Sequence, residues 1–156
     1  MADKYSALKQ KLNDRETIAM ANVMVLNSPL MLSAFDSADC ILLDKEHGVF
    51  GTEELIPMTM QCRHLGIPSI VRVEDKKYHL IAKAIDLGAD GIMLPRTESV
   101  AQVKEAVDAM HFRPSGAPAS ADSASSDPAR HWRTSSADAC CWCRSSRPRG
   151  SITWRT

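Results

Sequence analysis

The segment CILLDKEHG (residues 40–48) passes directly from four apolar residues into charged and polar ones. Four consecutive apolar residues predict a strand that is buried on both faces. Similar apolar runs begin near residues 17, 69 and 91, and a segment with helical periodicity follows each of them. The repeat of 22 to 29 residues predicts a parallel sheet covered by helices.

Helix boundaries between these strands carry capping signals. Ser28-Pro29 predicts the start of a short helix that reaches Phe35, since serine caps and proline suits the first helical position. The remaining expectations are helices over residues 5–12, over residues 52–65 with a stop at Gly66, after a cap at Asp75, and after a cap at Ser99.

Two folds bury a parallel sheet on both faces, the doubly wound sheet and the TIM barrel. A nucleotide-binding doubly wound sheet needs a glycine-rich turn after its first strand, and Asn27-Ser28-Pro29 contains no glycine. A barrel of eight βα units needs about 250 residues. The sequence therefore predicts an α/β fold that is a partial TIM (βα)8 barrel of about four βα units, followed by an irregular tail.

Composition changes abruptly near residue 116. Residues 1–116 contain all eight lysines, whereas residues 117–156 contain nine serines, six arginines, all three tryptophans and no lysine. A segment so poor in branched aliphatic residues is not expected to build a core. We expect residues 1–116 to form the half barrel, and we interpret residues 117–156 as a Ser/Arg-rich tail that is disordered or read from a shifted frame.

Charge and cysteine content exclude several classes of partner. Lys plus Arg and Asp plus Glu number 19 each, so no overall field favours nucleic acid or a membrane surface. No apolar run is long enough for a membrane span, and we expect a cytoplasmic location with reduced cysteines. Cys140-Cys141-Trp142-Cys143 has a C-x-x-C spacing, but it lacks the second pair of ligands that a zinc site needs.

Chemically active side chains follow two neighbouring strands. Asp44, Glu46 and His47 come directly after one strand, and Arg72 ends the next. Because TIM barrels carry their sites at the carboxyl ends of the strands, these side chains should converge on one mouth. The histidine can transfer a proton if a carboxylate orients it, and Asp86 or Asp44 could serve. The alternative interpretation is that these are solvated loop charges.

Four motifs in order resemble the HpcH/HpaI aldolase family, which comprises class II pyruvate aldolases such as 2,4-dihydroxyhept-2-enedioate aldolase. The resemblance covers Thr17 to Gly116. The matching strings are LLDKEHG (42–48), VRV (71–73), DLGADGIMLP (86–95) and FRPSG (112–116).

The resemblance implies reversible cleavage of a 4-hydroxy-2-oxo acid to pyruvate and an aldehyde, with a divalent ion (Mg²⁺, Mn²⁺ or Co²⁺) that stabilises the enolate. It implies that His47 is the general base, that Asp86 is its partner, and that Arg72 holds the pyruvate carboxylate. Asp44 and Glu46 would line the site. Intact members of the family are expected to be homo-oligomers.

The second half of the family pattern, with its glutamate and aspartate metal ligands, is missing after residue 116. We interpret Asp122, Asp127 and Asp138 as tail charges, and we expect no metal ligands in this chain. The chain is then expected to be an inactive fragment with two open sheet edges, at the strands near Thr17 and Gly91. Six residues are expected to face the barrel interior: Ile41, Leu43, Ile70, Val71, Ile92 and Leu94.

Two alternatives remain open at this point. One is a citrate-lyase-like enzyme of the same superfamily that cleaves a carbon–carbon bond in a coenzyme A thioester. The other is a non-catalytic half barrel, or an interaction protein derived from one.

Overall fold

The computed structural model describes residues 4–25, 28–110, 140–145 and 152–155. The helices are α1 (Lys4–Asp14), α2 (Thr52–Leu65), α3 (Tyr78–Asp86) and α4 (Val100–Met110), with a 3₁₀ helix over Pro29–Phe35. The strands are β1 (Met20–Val23), β2 (Cys40–Asp44), β3 (Ser69–Arg72), β4 (Gly91–Thr97), β5 (Cys140–Ser145) and β6 (Ile152–Arg155).

All six strands form one sheet in the order β1-β2-β3-β4-β5-β6. The pairs from β1 to β5 are parallel, and β6 pairs antiparallel with β5. Each of the first four strands is followed by a helix on the same side of the sheet, as a barrel wall requires. The predicted α/β fold with four βα units is confirmed.

The two faces of the sheet carry different side chains. One face packs against α2, α3 and α4 and forms the larger core. The opposite face, which would line a barrel interior, carries Cys40, Leu42, Ile70 and Met93, and Leu8 and Leu12 of α1 pack against them. Helix α1 thus covers the inner face of the sheet.

The prediction of the inward-facing residues was largely wrong. Ile70 does face inward, but five of the six residues belong to the core shared with the helices: Ile41, Leu43, Val71, Ile92 and Leu94. Strands that are apolar throughout do not reveal which alternate set faces which layer. Only the packing of the helices against the sheet shows which set of residues faces inward.

Most capping predictions are confirmed. The Ser28 hydroxyl accepts from the Leu30 N–H at 3.4 Å, Gly66 ends α2 with φ 67°, and the Ser99 hydroxyl accepts from the Gln102 N–H at 3.3 Å. Asp75 is not the cap of α3, because Lys77 occupies that position. The Asp75 carboxylate instead accepts from the Lys76 N–H at 2.7 Å, within the loop before the helix.

The expected irregular tail contains two strands. Residues 140–145 add β5 to the sheet beside β4, with Gly91 paired to Cys140 and Leu94 to Cys143. The expectation of an open edge at β4 was therefore wrong, because β5 supplies its hydrogen-bonding partners. Strand β1 remains an edge of the described sheet. The motif at 112–116, and Asp122, Asp127 and Asp138, lie outside the described residues.

Cys40 and Cys62 are buried free thiols. Burial raises the pKa of each to about 12, so both are inert apolar side chains at neutral pH. No helix in the described part of the chain has the length and apolarity needed to cross a bilayer.

The turn after β2 passes so close to other backbone that only glycine fits at position 48. A Cβ placed on Gly48 would overlap the Asp44 carbonyl oxygen and would lie 2.9 Å from the Met24 carbonyl oxygen. The Val49 N–H also donates to the Met24 carbonyl at 3.0 Å. The residues that follow β2 are therefore packed against the end of β1.

Gly48→Ala is expected to destabilise the fold by about 3 kcal/mol or more, because rigid backbone would have to move. The matched control is Gly51→Ala, where the added Cβ would meet only the flexible Glu54 side chain. Urea unfolding followed by circular dichroism measures both changes. Equal stability of the two variants would show that the turn adapts freely.

Candidate active site

A buried ion pair joins the carboxyl ends of β2 and β3. The strand register places Asp44 directly opposite Arg72. Arg72 Nε donates to Asp44 Oδ1 at 2.8 Å, and Arg72 Nη2 donates to Asp44 Oδ2. The Arg72 side chain is 7% exposed, and the Asp44 side chain is 0% exposed. Because both residues continue the inward-facing set of their strands, the pair lies at the inner mouth of the sheet.

Both members of this pair stay charged. Burial would raise the pKa of the Asp44 carboxyl, but hydrogen bonds from Arg72 and from two backbone N–H groups outweigh it, and the pKa falls below its ordinary value. The hydrogen bond to Asp44 raises the pKa of the Arg72 guanidinium, against the opposing effect of burial. The Arg72 guanidinium is thus held in one position at the mouth by its ionised partner.

Asp44 also shapes the turn that follows it. Its Oδ1 accepts from the Glu46 N–H at 3.0 Å and from the His47 N–H at 3.2 Å. A carboxylate that accepts from the N–H groups two and three residues later fixes a tight turn. One side chain therefore sets the direction of Arg72 and the positions of Glu46 and His47.

The Glu46 carboxylate lies among three side chains that can carry positive charge. Its Oε2 is 3.6 Å from Arg72 Nη1 and 3.7 Å from His47 Nε2, and its Oε1 is 3.4 Å from Arg96 Nε. The Glu46 side chain is 13% exposed, whereas the imidazole of His47 is 58% exposed. The histidine therefore remains accessible to a small molecule while a carboxylate stands beside it.

Lys45 ties the turn to its surroundings. Its side chain is 7% exposed, and its Nζ lies 2.6 Å from Glu74 Oε1 and donates to the Thr52 hydroxyl at 2.9 Å. Its backbone N–H donates to the Arg72 carbonyl at 2.9 Å. These contacts link the turn after β2 to the loop after β3 and to the start of α2.

Asp86, the predicted partner of His47, is not brought to it within one chain. It is the last residue of α3, and shortly after it the Asp90 N–H donates to the carbonyl of Ser69, the first residue of β3. Asp86 thus lies toward the amino ends of the strands, whereas His47 follows the carboxyl end of β2. Glu46 is the carboxylate that the structure places beside His47.

Sequence reasoning did not single out Arg96 or the pair of Lys45 and Glu74. Arg96 follows Leu94-Pro95 near the end of β4, the same relative position that identified Arg72 on β3. Its place near the strand end was visible in the sequence, but the face of the strand on which it lies was not. The pairing of Lys45 with Glu74 had no sequence signal, because it depends on how two loops lie against each other.

The described residues do not fit a metal site of their own. No group of three or more His, Cys, Asp or Glu side chains in the described ranges is arranged to hold an ion. Of the two acids at the mouth, Asp44 already accepts from Arg72 and two N–H groups. The described mouth instead presents the buried guanidinium of Arg72 and the exposed imidazole of His47.

Asp44→Asn is expected to lower the free energy of unfolding by about 3 kcal/mol at pH 7, because it leaves a buried guanidinium without its countercharge. Since the pKa of Asp44 is lowered by folding, its contribution is present above the unfolded-state pKa of about 3.9 and is lost as pH falls through the folded-state value.

Urea unfolding of both proteins at pH 7 and near pH 3 measures this effect. The gap between wild type and Asp44→Asn should shrink at the lower pH, while the exposed control Glu105→Gln should match wild type at pH 7. A gap that does not change with pH would rule out ionised Asp44 as its source.

Three comparisons place this chain among known proteins. The model of the HpcH/HpaI aldolase/citrate lyase family matches residues 24–125, nine residues beyond the predicted boundary at 116. The 2-dehydro-3,6-dideoxy-6-sulfogluconate aldolase of Pseudomonas putida is 32% identical over 78 residues, which are 50% of this chain and 31% of that protein.

Solved structures agree on the fold. An HpcH/HpaI aldolase from Desulfitobacterium hafniense DCB-2 gives a TM-score of 0.71 at 16% identity, covering 90% of this chain and 57% of that one. Citrate synthase SbnG gives 0.68 at 22% identity, with 87% and 54% covered. The chain spans 31% of the curated relative's length and little more than half of these structures. It belongs to the HpcH/HpaI aldolase/citrate lyase family.

Proposed function

We propose that the mouth formed by Asp44, Glu46, His47 and Arg72 is the pyruvate end of an aldolase site, which cleaves a 4-hydroxy-2-oxo acid to pyruvate and an aldehyde. The observation that carries the proposal is the buried guanidinium of Arg72, held by Asp44 beside an exposed histidine. Membership in an aldolase/citrate lyase family supports it.

Arg72 would bind the carboxylate of the 2-oxo acid. Its Nε and Nη2 donate to Asp44, so the side of the guanidinium that carries Nε is already engaged. The Nη1 group and the remaining N–H of Nη2 form a second edge with the same two-donor spacing, and Glu46 Oε2 lies 3.6 Å from Nη1 there. A substrate carboxylate can bind at this edge by replacing that longer contact with two direct hydrogen bonds. Asp44 therefore orients Arg72 rather than competing for the substrate.

His47 would move the proton. Cleavage removes the proton from the C4 hydroxyl and breaks the C3–C4 bond, which releases the aldehyde and leaves the enolate of pyruvate. The enolate then takes a proton at C3. The Glu46 carboxylate, on the same turn, has its Oε2 3.7 Å from His47 Nε2. In this scheme the pairing of His47 with Asp86 would need Asp86 from another copy of the chain.

The divalent ion implied by the family would stabilise the enolate, but the described residues offer no ligand group for it. We also propose that this chain alone does not turn over, because it spans little more than half of the solved structures that it matches. We further propose that the protein forms homo-oligomers and is located in the cytoplasm.

A second candidate is a citrate-lyase-like reaction on a coenzyme A thioester, because the family description includes citrate lyase. Arg72 would hold a carboxylate there as well, so the mouth alone favours neither substrate. Titration with coenzyme A distinguishes the two, since only the thioester reaction requires that it bind.

Arg72→Lys is expected to weaken pyruvate binding by roughly tenfold or more, because an ammonium cannot reproduce two parallel N–H donors. Isothermal titration of the full chain with pyruvate measures the change. Arg63→Lys, on α2 away from the mouth, is the matched control and should bind as wild type does. Identical pyruvate affinity in both variants would remove Arg72 from the site.

The 156-residue chain is expected to release no pyruvate from a 4-hydroxy-2-oxo acid when Mg²⁺, Mn²⁺ or Co²⁺ is added. A hybrid of residues 1–110 with the second half of an intact homologous aldolase should be active. In that hybrid, His47→Ala should slow cleavage by about 10²- to 10⁴-fold, as expected for loss of a general base. A coupled pyruvate assay reports all three.

The control in the hybrid is the exposed His64→Ala, which should retain full activity. Metal-stimulated release by the unmodified chain would contradict the proposed inactivity. Unchanged turnover in the His47→Ala hybrid would contradict the role of His47.

A further inference from the structure

The end of β4 departs from regular strand geometry. Met93 belongs to the inner face and Leu94 to the helix-covered face, so strict alternation would place Arg96 on the helix-covered face with Leu94. The register with β5 shifts between Leu94 and Thr97, and Arg96 has a φ of 44°. A bulge of this kind can redirect a side chain.

The altered backbone leaves Arg96 at the inner mouth. Its side chain is 72% exposed, and its Nε lies 3.4 Å from Glu46 Oε1, on the carboxylate whose other oxygen faces Arg72 and His47. Without the irregularity, the guanidinium would lie over the helices α3 and α4. The backbone geometry is what brings it to the site.

This conformation carries a free-energy cost. A left-handed φ is unfavourable for a residue with a Cβ, and the buried Thr97 hydroxyl has no hydrogen-bond partner within the described residues. The Lys76 ammonium donates to the Arg96 carbonyl at 3.0 Å, and this hydrogen bond stabilises the irregular backbone at Arg96. Costly backbone of this kind tends to occur at functional sites.

Two other cations at the mouth are more fully paired within the chain than Arg96 is. Arg72 donates through two of its nitrogens to Asp44, and Lys45 is buried against Glu74 and Thr52. Arg96 makes a longer ion pair with Glu46 and keeps an exposed guanidinium. It is therefore well placed to bind an additional anion from solvent.

We propose that Arg96 is a specificity-determining residue that binds a second carboxylate, at the end of the substrate remote from its 2-oxo acid group. This inference rests on the proposed function, in which Arg72 holds the 2-oxo acid end. The two guanidiniums face opposite oxygens of one carboxylate, Glu46, so a short acyl chain can join the two anionic groups. The site then favours dicarboxylate substrates over monocarboxylates of equal length.

The test compares two five-carbon 2-oxo acids, 2-oxoglutarate with a distal carboxylate and 2-oxopentanoate without one, by isothermal titration of the full chain. Wild type should bind 2-oxoglutarate roughly tenfold more tightly, which is the contribution of one charge-assisted hydrogen bond. The preference should decrease with added salt.

Arg96→Asn should abolish this preference, and Arg96→Lys should retain part of it. Asparagine tolerates a left-handed backbone better than most residues, so Arg96→Asn is expected to fold at least as well as wild type. Thermal melting checks this. Glu46→Gln, which removes the charge that competes for Arg96, should strengthen 2-oxoglutarate binding relative to 2-oxopentanoate.

The results separate this inference from the proposed function. An unchanged preference in Arg96→Asn, with pyruvate still bound through Arg72, would overturn the role of Arg96 alone. Binding of 2-oxoglutarate that depends on Arg96, without any binding of pyruvate, would overturn the role of Arg72 alone. A chain that binds neither 2-oxoglutarate nor pyruvate would overturn both.

Discussion

The bidentate pair of Asp44 and Arg72 is the interaction on which the site depends. A buried carboxylate and a buried guanidinium are each unfavourable alone, and together they require one geometry. That geometry needs β2 and β3 in parallel register with both side chains on the inner face. The same carboxylate then orders the turn that carries Glu46 and His47, so fold and site share one constraint.

The layers of the sheet separate stability from chemistry. The face against α2, α3 and α4 is a continuous apolar core, and the inner face is apolar only toward the amino ends, where α1 packs on it. Its carboxyl end is left to charged groups. Asp90 lies at the opposite, amino end of the strands, and burial raises the pKa of its carboxyl. It accepts hydrogen bonds from the Ser69 backbone N–H and hydroxyl, so it links β3 to the start of β4 and is not part of the mouth.

Irregular backbone near the end of β4 has two consequences. It shifts the register with β5, and it turns Arg96 toward Glu46. A regular β4 would pair with β5 in an unbroken register. Arg72 would then be the only arginine that β1 to β4 place at the mouth. The contact of β5 with β4 also shows that residues beyond 116 add backbone hydrogen bonds to the sheet, although their composition gives little basis for a core.

The sequence by itself determined the four βα units, most helix caps and the carboxyl-end location of Asp44, Glu46, His47 and Arg72, because apolar runs, caps and strand ends are local signals. Only the tertiary structure decided which alternate residues face inward, that Glu46 rather than Asp86 stands beside His47, and that Arg96 joins the mouth. These depend on strand register, on the end of the sheet that each loop occupies, and on one left-handed residue, and none of them leaves a periodic pattern in the chain.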